Sequence, residues 1–207
     1  MNRAELKSKA KAQIKGKIGI LFLITLIIAV ISGVISAIPW VGSIAMIIVA
    51  PAFSLSVYNV YLMIVNGIKP EVKDAFCGFD DFWSAFKVTF LVGLYTVLWS
   101  LLFFIPGIVK AYSYSMSLYI LAENPAKSAR ECIKESMAMT NGHKWELFVL
   151  NLSFIGWIFL MPFTLNILSI WLIPYMIATF TNAYKSLKPV TVVPAAETVA
   201  EETETIE

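Results

Sequence analysis

The sequence predicts an all-α membrane protein, a bundle of about six transmembrane helices with short amphipathic helices at its surface. Three observations predict it. Charge is missing over long stretches: no Asp, Glu, Lys or Arg occurs from Ile18 to Ile68 or from Leu147 to Tyr184, and Val88 to Ala122 holds only Lys110. The apolar runs are continuous rather than alternating, which selects helices over barrel strands. The composition, 58% hydrophobic and 14% charged, leaves little material for a soluble domain. A hydrocarbon core of about 30 Å needs about 20 apolar residues per helix. Inside it the backbone must satisfy its own hydrogen bonds.

Residues 1–17 read as a basic juxtamembrane helix. Arg3, Lys7, Lys11 and Lys15 recur at four-residue steps on one face, and Leu6, Ala10 and Ile14 on another. Such a helix lies on the anionic inner leaflet, each cation contributing about 1 kcal/mol. The apolar run that follows extends to Ile38, well beyond the roughly 7–15 residues of a signal-peptide core. It is therefore an uncleaved first span, 18–38.

The remaining spans fall at 43–66, 88–105, 107–122, 146–162 and 167–187, and together 18–188 form the transmembrane domain. The fourth is short enough to be a half-helix or a re-entrant hairpin. Turns at 39–42, 105–107 and about 162–167 are uncharged. Loops 67–87 and 123–146 carry Lys69, Lys73, Lys87, Lys127, Arg130, Lys134 and Lys144. Positive loops stay inside, so both termini are expected in the cytoplasm of a bacterial plasma (inner) membrane protein.

The first loop holds a second interfacial element. Phe79, Phe82, Trp83 and Phe86 follow helical spacing, with Asp80 as its N-cap. The second loop predicts a helix from Pro125 to about Asn141, capped by Asn124, stopped at Asn141-Gly142, and striped by Ala129, Ile133 and Met137. Residues 189–207 carry five Glu and no Lys or Arg, so the chain before them has a formal charge of +7 within a total of +2. This tail reads as disordered. Ile38-Pro39, Ile105-Pro106 and Ile173-Pro174 hint at three related hairpins, although Pro174 falls inside the sixth span.

Catalytic signatures are absent. The single histidine, His143, forms no His-x-x-His pair, and neither a Gly-x-Ser-x-Gly elbow nor a phosphate loop occurs. Asp80-Asp81 lacks a second acidic motif, so no metal or cofactor is expected. Cys77 and Cys132 lie in the cytoplasmic loops and are read as reduced thiols. Nucleic-acid binding by the basic start is disfavoured by the adjoining span.

Lys110 is the one charge placed at membrane depth, close enough to the Pro106-Gly107 turn to snorkel. Polar residues collect on spans two, four and six. Tyr114, Tyr119, Asn59 and Asn182, with Lys110 and His143, are the candidates for contact with a substrate or headgroup. Arg3, Lys7, Lys11, Lys15, Phe79, Phe82, Trp83 and Phe86 are the candidates for membrane-surface anchoring.

Several segments carry a family resemblance: Met-Asn-Arg-Ala-Glu-Leu-Lys at 1–7, Ala75 to Phe79, Trp99 to Ala111, Tyr114-Ser115-Met116 and Tyr119 to Pro125. Ser136, Met139, Asn141 to Trp145, Leu152 to Trp157 and Trp171 to Tyr175 continue it. From residue 1 to about 188 the chain resembles a bacterial integral-membrane family catalogued as a domain of unknown function, number nine hundred and seventy-five. The resemblance implies a multi-helix inner-membrane protein without established activity, so no catalytic residue carries over. Lys110 matches the family's Ile-Pro-Gly-Ile-x-Lys-Ala stretch.

The functional expectation is a non-enzymatic protein of the bilayer that binds or organises a lipid or a membrane-protein partner, as a monomer or homo-oligomer. The alternative is a small transporter with a polar cavity lined by spans two, four and six.

Overall fold

The computed structural model describes residues 2–38, 40–102, 104–164 and 167–188. Among the described residues the chain is all-α: α1 (Arg3–Ile14), α2 (Ile18–Ser36), α3 (Val41–Val65), α4 (Phe82–Leu102), α5 (Phe104–Tyr114), α6 (Ser117–Glu123), α7 (Ala129–Met139), α8 (Lys144–Leu152), α9 (Ile155–Leu160) and α10 (Ser169–Leu187). Two 3-10 helices, Val72–Phe79 and Pro162–Thr164, interrupt the series. The acidic tail and Pro39 of the first turn lie outside the described residues.

Among the described residues three helices are long and apolar enough to cross a membrane: Ile18–Ser36, Gly42–Val65 and Phe82–Leu101. Of the other expected spans, 167–187 is the single helix α10, and two take a different form. The stretch 107–122 is two helices, α5 and α6, broken at Ser115-Met116. The stretch 146–162 likewise breaks at Ser153-Phe154 into α8 and α9. Pro106 and Gly107 are not the turn before α5 but part of its first turns, where a proline's missing N–H costs nothing. Gly107 is needed there because a Cβ would lie 2.2 Å from the Ser100 Oγ of α4.

Local chemistry sets the other boundaries. Asn2 Oδ1 accepts from the N–H groups of Ala4 and Glu5 and so caps α1; Gly16, at φ +79°, turns the chain into α2. α3 continues through Pro51, and the 3-10 helix Val72–Phe79 packs against it just beyond that proline. Gly78 N–H donates to Ser56 Oγ at 2.9 Å, an approach so close that a Cβ would sit 2.1 Å from the Ala52 carbonyl oxygen. Asp80 ends this 3-10 helix, its N–H bonded to the Cys77 carbonyl. The aromatic segment 79–86 is therefore no separate interfacial helix, since α4 already starts at Phe82.

The loop helix α7 starts later than its proline implied. Ser128, rather than Asn124, caps it, in a reciprocal box with Glu131. Its buried face is Cys132, Ile133, Ser136 and Thr140, so only Ile133 of the expected apolar stripe is fully buried.

Burial divides the molecule into two halves. The packed half comprises α1, the start of α2, the second half of α3, the start of α4, α6, α7, α8 and the second half of α10. Its core includes Ile14, Leu21, Ile64, Val88, Leu121, Leu150 and Tyr184, each at most 1% exposed. The bare half comprises the rest of α2, the start of α3, the rest of α4, α9 and, at the start of α10, the face that carries Ile170 and Ile173. There Val34, Ile47, Val97 and Phe159 are 57–70% exposed. The apolar stripe of α1, Leu6, Ala10 and Ile14, is buried against the packed half rather than left free to enter lipid.

Candidate functional site

The polar faces expected on alternate spans do meet. Tyr58 of α3 lies 4.3 Å from Tyr119 of α6, ring centre to ring centre, and Tyr119 stacks on Tyr184 of α10 at 5.2 Å. Tyr184 donates its hydroxyl proton to Glu123 Oε2 at 2.7 Å, and Lys188 pairs with the same carboxylate. Thr181 of α10 lies beside the Tyr119 hydroxyl, its own hydroxyl donating to the Ile177 carbonyl at 2.8 Å. Ring contact joins the three helices at their centre. Three buried hydroxyls, Tyr61 Oη, Thr89 Oγ1 and Ser117 Oγ, have no partner among the described residues.

Asn182 and Asn59 are structural bridges around this stack. Asn182 Nδ2 donates to Gln13 Oε1 at 2.6 Å and to the Ala178 carbonyl at 2.9 Å, tying α1 to α10. Asn59 lies beside the Cys77 thiol, which burial pushes up from its usual pKa.

Lys110 sits on α5 with its Nζ 4.7 Å from the centre of the Trp99 ring, a cation–π contact. Trp99 also lies beside Tyr114, which faces Tyr95 at 6.2 Å. The pairs 99/110 and 95/114 follow one antiparallel register about the α4–α5 turn. Lys110 and Tyr114 thus share one cluster, whereas Tyr119, Asn59 and Asn182 belong to the packed core. His143 stands apart from both: it precedes α8, and its Nδ1 lies 2.8 Å from Glu146 Oε2.

The break between α5 and α6 leaves backbone groups for α7 to satisfy. Ser136 Oγ donates to the Ser113 carbonyl at 2.8 Å and accepts from Met116 N–H at 3.2 Å. Thr140 Oγ1 also reaches the Ser113 carbonyl, at 3.3 Å. Two polar side chains on a soluble-looking helix therefore hold a broken helix in place.

The anchoring candidates divide as well. Arg3, Lys11 and Lys15 are exposed, while Lys7 rests its Nζ 4.3 Å from the centre of the buried Phe154 ring. Phe79, Phe82, Phe86 and Phe90 stack in succession at 6.1–6.5 Å with Trp83 edge-on, a ladder along α4. It leads to a groove of about 340 Å³ between α3 and α4, lined by Ile47, Pro51, Phe90, Gly93, Leu94 and Val97 among others. A second groove, about 280 Å³, lies between α2, α3 and α10 and includes Ile28, Met46, Ser54 and Tyr58.

Trp99, Glu123, Ser136 and Phe154 enter the sequence analysis only as parts of the family resemblance and not as candidate site residues. The first was legible from the hairpin register just described. The others act through tertiary contacts that no spacing announces.

The sequence matches the model of one family over nearly all of the described residues. The chain belongs to the family described as Protein of unknown function (DUF975), matched over residues 1–113 and 102–190. Comparison with curated proteins and with solved structures gives no match. Membership of the DUF975 family carries no assigned chemistry, so function must be argued from the two halves of the molecule.

Proposed function

We propose that this protein is a non-enzymatic component of the bacterial plasma membrane that holds lipid against its apolar helices. The bare half would lie in the bilayer, and the packed half, with both termini, on the cytoplasmic side. One observation carries the reading: α2 and α4 leave their apolar surface uncovered while apolar grooves open between them and α3. Water would penalise such a surface at about 25 cal/mol per Å². Acyl chains would fill the grooves at no such cost. The aromatic ladder from Phe79 to Phe90 runs along the same helix, consistent with an interfacial anchor.

The test is extraction in native lipid discs, followed by the mass of the intact complex. Retained lipid on a monomer or homo-oligomer supports the reading. A stoichiometric second protein with no lipid would replace it with a role as an accessory subunit. A bare polypeptide would end it.

One observation favours a second reading, a small transporter. The unpartnered hydroxyls of Tyr61 and Ser117 are buried on α3 and α6, beside the tyrosine stack. That reading requires the stack to open and Lys110 to guide an anion; Lys110→Met would then abolish a flux while expression persists.

A further inference from the structure

The border between the two halves carries a second feature, on the side of the molecule where α1 meets the α8–α9 break. Asn2, Arg3, Ala4, Lys7 and Ser153 line an open concavity of about 620 Å³. The two motifs 1–7 and 152–157, some 150 residues apart in sequence, supply all of it. Lys7 is pinned there by its cation–π contact, since the Phe154 ring beneath it is fully buried. Arg3 is close enough to push the Lys7 pKa down, burial being the larger cause. The one carboxylate of α1, Glu5, is already paired with Lys9 at 2.6 Å. Two cations thus lie on one face of α1 without a counter-charge from their own helix.

The helix end itself is not the attraction. Asn2 Oδ1 already takes the N–H groups of Ala4 and Glu5, so the available donors are side chains: the Arg3 guanidinium, the Lys7 ammonium and the Ser153 hydroxyl, which otherwise turns back to the Leu150 carbonyl. A planar guanidinium beside an ammonium suits a phosphate's oxygens. Immediately beyond Ser153 and Phe154 the chain becomes α9, whose Ile155, Trp157, Phe159 and Leu160 are all exposed. The cationic mouth therefore opens onto an apolar track.

We propose that Arg3, Lys7 and Ser153 form a headgroup site for the phosphate of an anionic phospholipid, whose acyl chains run along α9. This deepens the lipid-holding reading and rests on it, since only a bilayer around the bare half puts a headgroup at this level.

The test titrates the purified full chain in detergent with phosphatidylglycerol and with phosphatidylcholine of the same acyl chains, reading bound lipid by native mass spectrometry. Wild type should prefer phosphatidylglycerol by about thirtyfold, two cations each contributing at the usual surface value. Arg3→Gln/Lys7→Gln should lose that preference. Lys11→Gln/Lys15→Gln, which removes equal charge from the same helix, should keep it. Arg3→Gln alone, at an exposed position, repeats the test should the double variant unfold. Equal loss in both double variants, or in neither, overturns the site. Loss of the preference in millimolar inorganic phosphate would assign the pocket to free phosphate instead of lipid. Wild type that binds both lipids equally overturns the site but leaves the lipid-holding reading intact; wild type that binds neither removes both.

Discussion

The packed half and the bare half are built from the same helices yet obey opposite rules. α3 shows this within one element: its first turns expose Ile44 at 62% and Ile47 at 70%, while its last turns bury Val60, Leu62 and Ile64 almost completely. α2 runs the other way, buried at Leu21 and Ile24 and exposed from Val30 onward. Pro51 stands near the border within α3, and the 3-10 helix Val72–Phe79 closes over the chain just past it. Hydrophobicity alone does not separate the halves, because both are apolar. What separates them is the covering partner. Side chains from α1, α6, α7 and α8 cover one half, and the other is left for its surroundings to cover. Stability in the packed half should therefore answer to packing, and in the bare half to the chemistry of the solvent around it.

The largest expected effects come from breaking each half by its own rule. Leu150→Ala removes a fully buried side chain from the main core. It should cost about 2–5 kcal/mol, read as a fall in the unfolding midpoint of the purified protein. Val97→Arg touches a residue that is 57% exposed on α4. On a water-facing surface such a change would alter stability by no more than about 0.5 kcal/mol. In lipid it should cost about 2.5–3.5 kcal/mol and appear as a loss of membrane-integrated protein. Normal insertion of Val97→Arg would erase the distinction between the halves.

An intermediate effect sharpens the comparison at its polar seam. Ser136→Ala strips the Ser113 carbonyl of one donor and orphans the Met116 N–H, both buried where α5 breaks into α6. The expected cost is about 1–3 kcal/mol. Ser100→Ala is the control: that hydroxyl only returns to the Thr96 carbonyl of its own helix. Its effect should be near zero, and comparable losses for the two serines would show that α7 does not hold the break.

Much of this division was legible in the sequence. The charge-free run from Ile18 to Ile68 contains α2 and α3 whole, and Asn141-Gly142 marks the end of α7, with Gly142 at φ +80°. Periodicity misled where tertiary contacts supply what local sequence lacks. The stretch 107–122 reads as a short span, a half-helix or a re-entrant hairpin, because the break at Ser115-Met116 is held by Ser136 and Thr140 from α7, which its own sequence does not announce. Leu6, Ala10 and Ile14 read as a face for lipid because an apolar stripe looks the same whether lipid or α10 covers it. The α7 boundary was misread because Asn124-Pro125 and Ser128-x-x-Glu131 are both plausible starts, and the reciprocal box prevailed. The candidate residues were recognised as polar groups in apolar surroundings. Their sorting into the Lys110–Trp99–Tyr114 cluster and the Tyr58–Tyr119–Tyr184 stack needed the fold.

The smallest expected effect is a pH dependence confined to that box. The Ser128 backbone N–H donates to Glu131 Oε2 at 2.8 Å, and this bond holds the Glu131 carboxyl below its ordinary pKa. A depressed folded-state pKa stabilises the fold fully above the unfolded value, about 4.3, and the gain fades as pH falls through the folded value. Glu131 is exposed, so the contribution is slight and belongs to the start of α7 alone. Glu131→Gln keeps a side chain able to accept from Ser128 but removes the titration. Between about pH 5 and 3 the unfolding midpoint of wild type should therefore fall slightly more than that of the variant, while above pH 6 the two should run parallel. Because α7 braces the α5–α6 break, a loosened first turn should reach Ser136 within two helical turns. Combined with Ser136→Ala, the acid sensitivity should then diminish, since the brace that transmits it is gone. Undiminished sensitivity in the combined variant would confine the effect to the helix end and deny α7 its bracing role.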